Sequence, residues 1–310
     1  MQKIINLAKK RLEDGNLVIF PTETVYGLGG DATNLRAIKK IYNLKKRPLE
    51  NPLICHFKNI KEIKENFEIN SLDNEIIKKF CPGPLTIILK KRKKCKIHAA
   101  VSNNLNYIGC RIPKNKIAIN ILKSVNFPIA APSANISTKI SPTQTNHISK
   151  KLKDNTLIIN GGKSLLGLES TVVKTSKNKI LILRLGSISI EEIRKKIPNN
   201  DIEINNLNQK VSPGNQKKHY APNLPIRINV TKVLKNEGLL NFGKNNMKSN
   251  ICEYNLSAKG SLKEASKNFF NFLYLIDNNK LCKGIAVAPI PSQDLGITIN
   301  DRLKRASYKK

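Results

Sequence analysis

The feature that most narrows the possible folds is the way short apolar runs are fenced by proline and glycine. Leu17-Val18-Ile19-Phe20 stops at Pro21, and Leu53-Ile54-Cys55-His56-Phe57 follows Asn51-Pro52. Residues 85–89 follow Cys81-Pro82-Gly83-Pro84, and Ile129-Ala130-Ala131 runs into Pro132. Proline has no N–H to give to a ladder, so such runs read as short buried strands that end where the proline begins. Residues 107–112, 157–159, 171–173 and 180–183 add further strands. Between them lie segments with helical spacing. Ile4, Ile5, Ala8 and Leu12 precede Gly15, and Leu35, Ile38, Ile41 and Tyr42 follow Asn34 as a cap and stop before Pro48. Residues 72–80 and 117–125 read as two more helices. Helices and strands do not alternate strictly, so the expectation is an α/β fold with an open, mixed sheet. Residues 22–30, rich in Thr and Gly, read as a loop.

The pattern changes after Pro198. Residues 199–209 are Asn-rich with little periodicity. Ser212-Pro213-Gly214 and residues 222–225 bracket His219-Tyr220-Ala221, as in an ordered linker. A strand (226–230), a long helix (262–276) with Phe269, Phe272, Leu273 and Ile276 on one face, a strand (284–288) and a last helix (297–306) then make a small α/β domain. The expected organisation is therefore 1–200, a linker or lid at 201–225, and 226–310. A chain of 310 residues fits two domains of ordinary size.

Composition excludes several classes. No stretch approaches the ~20 apolar residues that span a bilayer, and the N-terminal Met1-Gln2-Lys3-Ile4-Ile5-Asn6 has no secretory pattern. The six cysteines form no CxxC pair and there are four histidines, so no zinc site is visible and a reducing cytoplasm is expected. With 55 Lys+Arg against 22 Asp+Glu the net charge is +33. The excess is mostly lysine, spread along the chain and accompanied by Asn and Ile, the combination that A+T-rich codons supply. Compositional drift accounts for it better than a selected role, although the field draws polyanions such as ATP or tRNA to any cleft.

Individually, the chemical candidates are weak. Lys45 and Arg47 offer two cations for a triphosphate, but cations at a helix C-terminus are favoured by its dipole anyway. Ser133 and Asn135 follow a buried strand, where α/β folds collect ligands, and equally suit an Asx turn or a cap. Ser170 sits at a strand edge after Gly161-Gly162, and His56 reads equally as a core histidine. Gly27-Leu28-Gly29-Gly30 is neither GxGxxG nor a Walker A loop.

Their order is far more specific. Residues 20–28 (FPTETVYGL), Lys45-Lys46-Arg47-Pro48 with 51–54 (NPLI), 82–86 (PGPLT), 109–113 (GCRIP), 131–135 (APSAN) and 169–172 (ESTV) together closely resemble the YrdC/Sua5 family. Ser212-Pro213-Gly214, His219-Tyr220-Ala221-Pro222 and the C-terminal Leu295-Gly296, Asn300-Asp301-Arg302-Leu303 and Arg305-Ala306 resemble the linker and extra domain of the Sua5-type members.

The resemblance implies a YrdC-like twisted sheet with a basic concave cavity and a smaller, Rossmann-like C-terminal domain. It implies synthesis of threonylcarbamoyl-AMP from L-threonine, bicarbonate or CO2, and ATP with Mg2+ carried on the ATP, with release of pyrophosphate. A downstream transferase complex would use that product for t6A37 of ANN-decoding tRNAs. Direct tRNA contact stays open, and no membrane is involved. Carried across by position, the threonine set is Thr24, His56, Arg111, Ala131 and Ser170. The ATP set is Arg47, Asn51, Tyr107, Ser133, Ser141, Arg184 and Tyr220, with residues 212–225 as a lid. The catalytic KxR/SxN tetrad is Lys45, Arg47, Ser133 and Asn135, with no protein metal site. Tyr107, Gln216-Lys217-Lys218 and Asp294-Leu295-Gly296 depart from the family pattern. The rivals are a non-catalytic RNA-binding protein and the carbamoyl transfer of hydrogenase maturation. The latter carries CxxC pairs that are absent from this chain.

Overall fold

The computed structural model describes residues 1–204 and 219–308. Among them one large mixed sheet runs in the spatial order Asp201–Ile204, Lys179–Arg184, Thr171–Ser176, Leu85–Lys91, Tyr107–Arg111, Ile54–His56, Ile129–Ala130, Gly27–Asp31, Val18–Phe20, Leu157–Ile158. Ile54–His56 pairs in parallel with Tyr107–Arg111, and Leu85–Lys91 in parallel with Thr171–Ser176; most other neighbours are antiparallel. The sheet is mixed, as the irregular order of helices and strands requires.

Helices Gln2–Glu13, Leu35–Lys45, Ser71–Phe80 and Lys116–Ser124 stand where the periodicity places them. Asn34 caps the second by accepting from Arg36 and Ala37 N–H, and Asn70 and Asp73 close a capping box on the third. Each buries its apolar stripe, for example Ile5, Ala8 and Leu12 against Val18, Phe20 and Ile121.

Three readings are corrected. Residues 27–31 are a strand, not loop. Their glycines mark close packing: a Cβ at Gly29 would sit 2.6 Å from the Phe20 ring, and one at Gly30 2.8 Å from Leu17. Residues 201–204, read as the start of the linker, are an edge strand paired in parallel with Lys179–Arg184. Helices Ile60–Asn66 and Ile190–Lys196 were not anticipated. Ser212-Pro213-Gly214 and the other 205–218 readings lie outside the described residues.

A second sheet, all parallel, runs Ile226–Arg227, Gly284–Val287, Glu237–Asn241, Glu253–Asn255. Helices Leu262–Asp277 and Leu295–Ala306 accompany it. Its apolar core is not closed on itself. Val25, Ile140 and Leu168, from the loops of the large sheet, pack in the same cluster as Phe270, Leu273 and Ile299. Thr298 donates to the Gly186 carbonyl at 3.2 Å across this junction.

Gly186 is tied to that contact sterically. A Cβ there would lie 2.3 Å from Thr171 N and 2.6 Å from Glu169 O, both backbone. Gly186→Ala is therefore predicted to cost about 3 kcal/mol, read as a lower midpoint in urea unfolding. An unchanged midpoint would show that the chain yields there.

Candidate active site

Loops from four strand ends converge on one cavity. The turn after Val18–Phe20 is organised by the Thr22 hydroxyl, which donates to Val25 O at 2.6 Å and accepts from Thr24 and Val25 N–H. Leu28 N–H bonds Pro132 O, Ala134 N–H bonds Tyr26 O, and Tyr26 N–H bonds Pro142 O, which fastens that turn to residues 132–142. His56 and Arg111 end adjacent parallel strands in direct register. Ala131 N–H bonds Ile54 O at 2.9 Å.

Thr24, His56, Arg111, Ala131 and Ser170 all line this cavity, although 146 residues separate the first from the last (170 minus 24). Arg47, Ser133, Arg184 and Tyr220 line it too. The other expected residues stand elsewhere. Lys45 and Asn135 lie behind the wall. Lys45 is 1% exposed and its Nζ donates to the Ser133 carbonyl at 2.6 Å and to the Asn135 carbonyl. It therefore locks the Ser133–Asn135 turn instead of reaching into the cavity; burial, and then the Arg47 charge, hold its pKa well below the usual value. Asn135 accepts from the Ser133 hydroxyl and donates to Ile136 and Lys139 carbonyls. Asn51 braces Arg47, accepting from Nε at 2.9 Å and from Nη2 at 2.7 Å. Ser141 is fully buried and donates to Glu169 at 2.6 Å. Tyr107 begins the strand that Arg111 ends, so about 13 Å of extended chain separates them. Its ring lies under the Lys174 ammonium at 4.0 Å, off the cavity wall.

Arg111 is the best-defined binding group. It is 5% exposed; Nη1 donates to the Thr24 hydroxyl at 2.9 Å and Nε to Gly83 O at 3.4 Å. Nη2 lies 2.8 Å from Glu23 Oε1 as a buried ion pair, but its N–H does not point along that line. Arg111 Nη2 and both Glu23 oxygens consequently have no hydrogen-bond partner among the described residues, and neither have His56 Nδ1, Asn51 Nδ2 or His219 Nδ1. Buried polar atoms are nearly always paired, so the unpaired ones on the lining residues His56, Arg111 and His219 mark where a ligand supplies the partners. On the opposite wall, Arg184 Nη2 donates to the Ser170 carbonyl at 2.8 Å and hydroxyl at 3.0 Å, and that hydroxyl also meets Thr86 Oγ1 at 2.7 Å.

Four cavity residues with polar side chains had not been singled out for a role: Thr22, Tyr26, Glu169 and His219. All four stand inside the quoted motifs, Thr22 and Tyr26 in 20–28, Glu169 in 169–172 and His219 in 219–222. His219 and Tyr220 close one side, with Tyr220 1% exposed and stacked toward Phe270 at 5.6 Å. The cavity holds about 60 Å³, far below the ~300–1,000 Å³ of sites that enclose drug-sized ligands. Among the described residues no group of three or more His, Cys, Asp or Glu is placed to hold a metal ion. No helix is long and apolar enough to cross a membrane.

The buried histidines are neutral. Burial, then the Arg111 charge, pushes His56 down to about 3 from 6.5. Burial takes His147 down to about 4, and burial with Arg47 holds His219 well below the usual range. The unfolded chain takes up these protons near 6.5 while the folded one refuses them. The stability they confer is therefore complete above that pH and is lost as the pH falls toward the folded values. Buried Asp73 and half-buried Asp277 have values raised by desolvation and act in the opposite sense. The Tm is predicted to fall between about pH 7 and about pH 5, and His147→Gln to flatten the fall. A Tm that rises over that interval would contradict this reading.

Comparison with known proteins agrees with the geometry. Residues 10–186 match the family Sua5_yciO_yrdC, described as telomere recombination, and residues 188–307 match the threonylcarbamoyl-AMP synthase C-terminal domain. A Pyrococcus abyssi threonylcarbamoyl-AMP synthase is 32% identical over 98% of this chain and 94% of its own length. A Bacillus subtilis protein of the same name is 37% identical over 70% of this chain and 64% of its own. The crystal structure of P. abyssi Sua5 complexed with L-threonine superposes with a TM-score of 0.85 at 30% identity, covering 98% of this chain and 94% of that one.

Proposed function

Because the chain belongs to the Sua5–YciO–YrdC family, with the threonylcarbamoyl-AMP synthase C-terminal domain, we propose that it joins L-threonine, bicarbonate or CO2, and ATP into threonylcarbamoyl-AMP and pyrophosphate. It is an enzyme of the nucleotidyltransferase type, like the curated relatives that carry the synthase name. The observation that carries the substrate assignment is the buried Arg111 fork, which lines the cavity and whose Nη2, though ion-paired with Glu23, has no hydrogen-bond partner among the described residues. A guanidinium so held suits a carboxylate, and the neutral His56 and the Thr24 and Ser170 hydroxyls suit the rest of an amino acid.

In this reading the threonine amine, having lost its proton to solvent, attacks CO2 to form the N–C bond and releases a second N–H proton to solvent, leaving a carbamate. A carbamate oxygen then attacks the α-phosphorus, the bond to the β-phosphate oxygen breaks, and pyrophosphate leaves. Negative charge is present throughout on the phosphates, so fixed cations supply most of the stabilisation. Arg47 and Arg184 border the cavity for this purpose, Ser133 offers a hydroxyl, and Tyr220 faces the nucleotide. Lys45 and Asn135 act by holding the Ser133 turn, and Asn51 by aiming Arg47; Ser141 acts through Glu169. Mg2+ would ride on the triphosphate: Glu169, the carboxylate among the cavity's described lining residues, and Glu23 behind Arg111 are each already turned to an arginine. The His219–Tyr220 wall closes one side of the cavity. Exclusion of water by that wall would protect the carbamate. The product would pass to a downstream transferase for t6A37 of tRNA, in the cytoplasm. Residues 1–200 would form the catalytic domain and 226–310 the accessory one.

Pyrophosphate release from ATP tests this. It should require both threonine and bicarbonate, and fall about 100-fold or more in Arg47→Ala, which removes one positioned cation. Arg111→Lys should raise the KM for threonine more than that for ATP, since a point charge cannot replace the fork. Release that ignores threonine would overturn the substrate assignment.

A further inference from the structure

We infer that Arg302, in the C-terminal helix, is a positioning residue for nucleotide binding: it holds the Glu169 carboxylate so that this acid does not compete for the cations of the cavity. The inference rests on the ATP-dependent reading above.

Arg302 is 0% exposed and does not line the cavity. Its Nε donates to Glu169 Oε2 at 3.2 Å, Nη1 to Asp301 Oδ2 at 2.6 Å, and Nη2 to Leu185 O at 2.5 Å. The guanidinium carbon lies 4.8 Å from the centre of the Tyr220 ring. Two of these neighbours, Glu169 and Tyr220, do line the cavity. Glu169 is the one carboxylate among its described lining residues, which otherwise include Arg47, Arg111 and Arg184. The second carboxylate oxygen takes the Ser141 hydroxyl. The acid is thus engaged from behind, by groups off the cavity wall.

A buried carboxylate stripped of its partner turns to the nearest cation. Of the cavity's arginines, Arg184 is bonded to Ser170, the next residue after Glu169. Without Arg302 a triphosphate would meet a freed negative charge and an arginine drawn toward it. The threonine side is insulated, because Arg111 has its own acid in Glu23. The C-terminal helix is therefore coupled to one substrate and not to the other.

The test compares Arg302→Gln, Arg302→Lys and the double variant Arg302→Gln/Glu169→Gln, with ATP and L-threonine affinities measured separately by equilibrium binding. Arg302→Gln should weaken ATP binding about tenfold or more and leave threonine binding within about twofold. The lysine variant, which restores the charge, should recover part of the loss, and the double variant most of it. A purely structural role predicts equal damage to both ligands and no rescue by Glu169→Gln, and that result would overturn the assignment. If Arg302→Gln alone does not fold, the double variant decides: near-normal ATP binding supports the assignment, and lost ATP binding with threonine binding intact refutes it. Wild-type protein that binds ATP but forms no product would sink the proposed reaction without touching Arg302. Wild-type protein that binds no ATP would sink both.

Discussion

Burying a cation is costly unless it is paired, and this fold buries its cations in one place. Among the described residues the buried lysines and arginines are Lys45, Arg47, Arg111 and Arg302, out of 55 in the chain. All four stand at or just behind the same cavity. Each is held by groups that define a loop: Lys45 by the Ser133 and Asn135 carbonyls, Arg47 by Asn51 and Pro52, Arg111 by Thr24 and Glu23, Arg302 by Glu169 and Leu185. The cations therefore do two jobs, since the contacts that make their burial tolerable are the ones that fix the strand-end loops. Where a donor is left over, as at Arg111 Nη2, the ligand is what completes the set.

Much of the large sheet was legible because proline and glycine fence its strands. The second sheet was less so. Glu237–Asn241, buried, and Glu253–Asn255, partly exposed, are parallel strands too short and too polar in sequence to show a period of two. The Gly27–Asp31 strand was hidden by the very residues that make it possible, because glycine reads as loop when its use here is to let Phe20, Leu17 and Ile129 approach. At the cavity, Thr24, His56, Arg111, Ala131 and Ser170 were reachable through motif order. The reversal at Lys45 was not: a helix-terminal lysine looks solvated until the Ser133 turn is seen to fold over it. Arg302 and Glu169 lie 133 positions apart, and nothing local to either announces the pair.

The distribution of charge bears on the overall excess as well. Most of the cations that make up the +33 are on the surface, whereas the groups with defined partners at the cavity are few. The two sheets meet through apolar contacts around Phe270 and Leu168 and through the Arg302–Glu169 bridge. The C-terminal region is thus part of the wall that shapes the site, with His219 and Tyr220 carrying it to the cavity edge.

The central claim is that Arg111, buried and only partly satisfied by Glu23, is the seat of a carboxylate. Calorimetric titration with L-threonine and with L-threoninamide, which keeps the side chain and amine but removes the negative charge, tests it most directly. The account predicts that the acid binds and that the amide is weaker by about tenfold or more. Equal affinity for the two would contradict it.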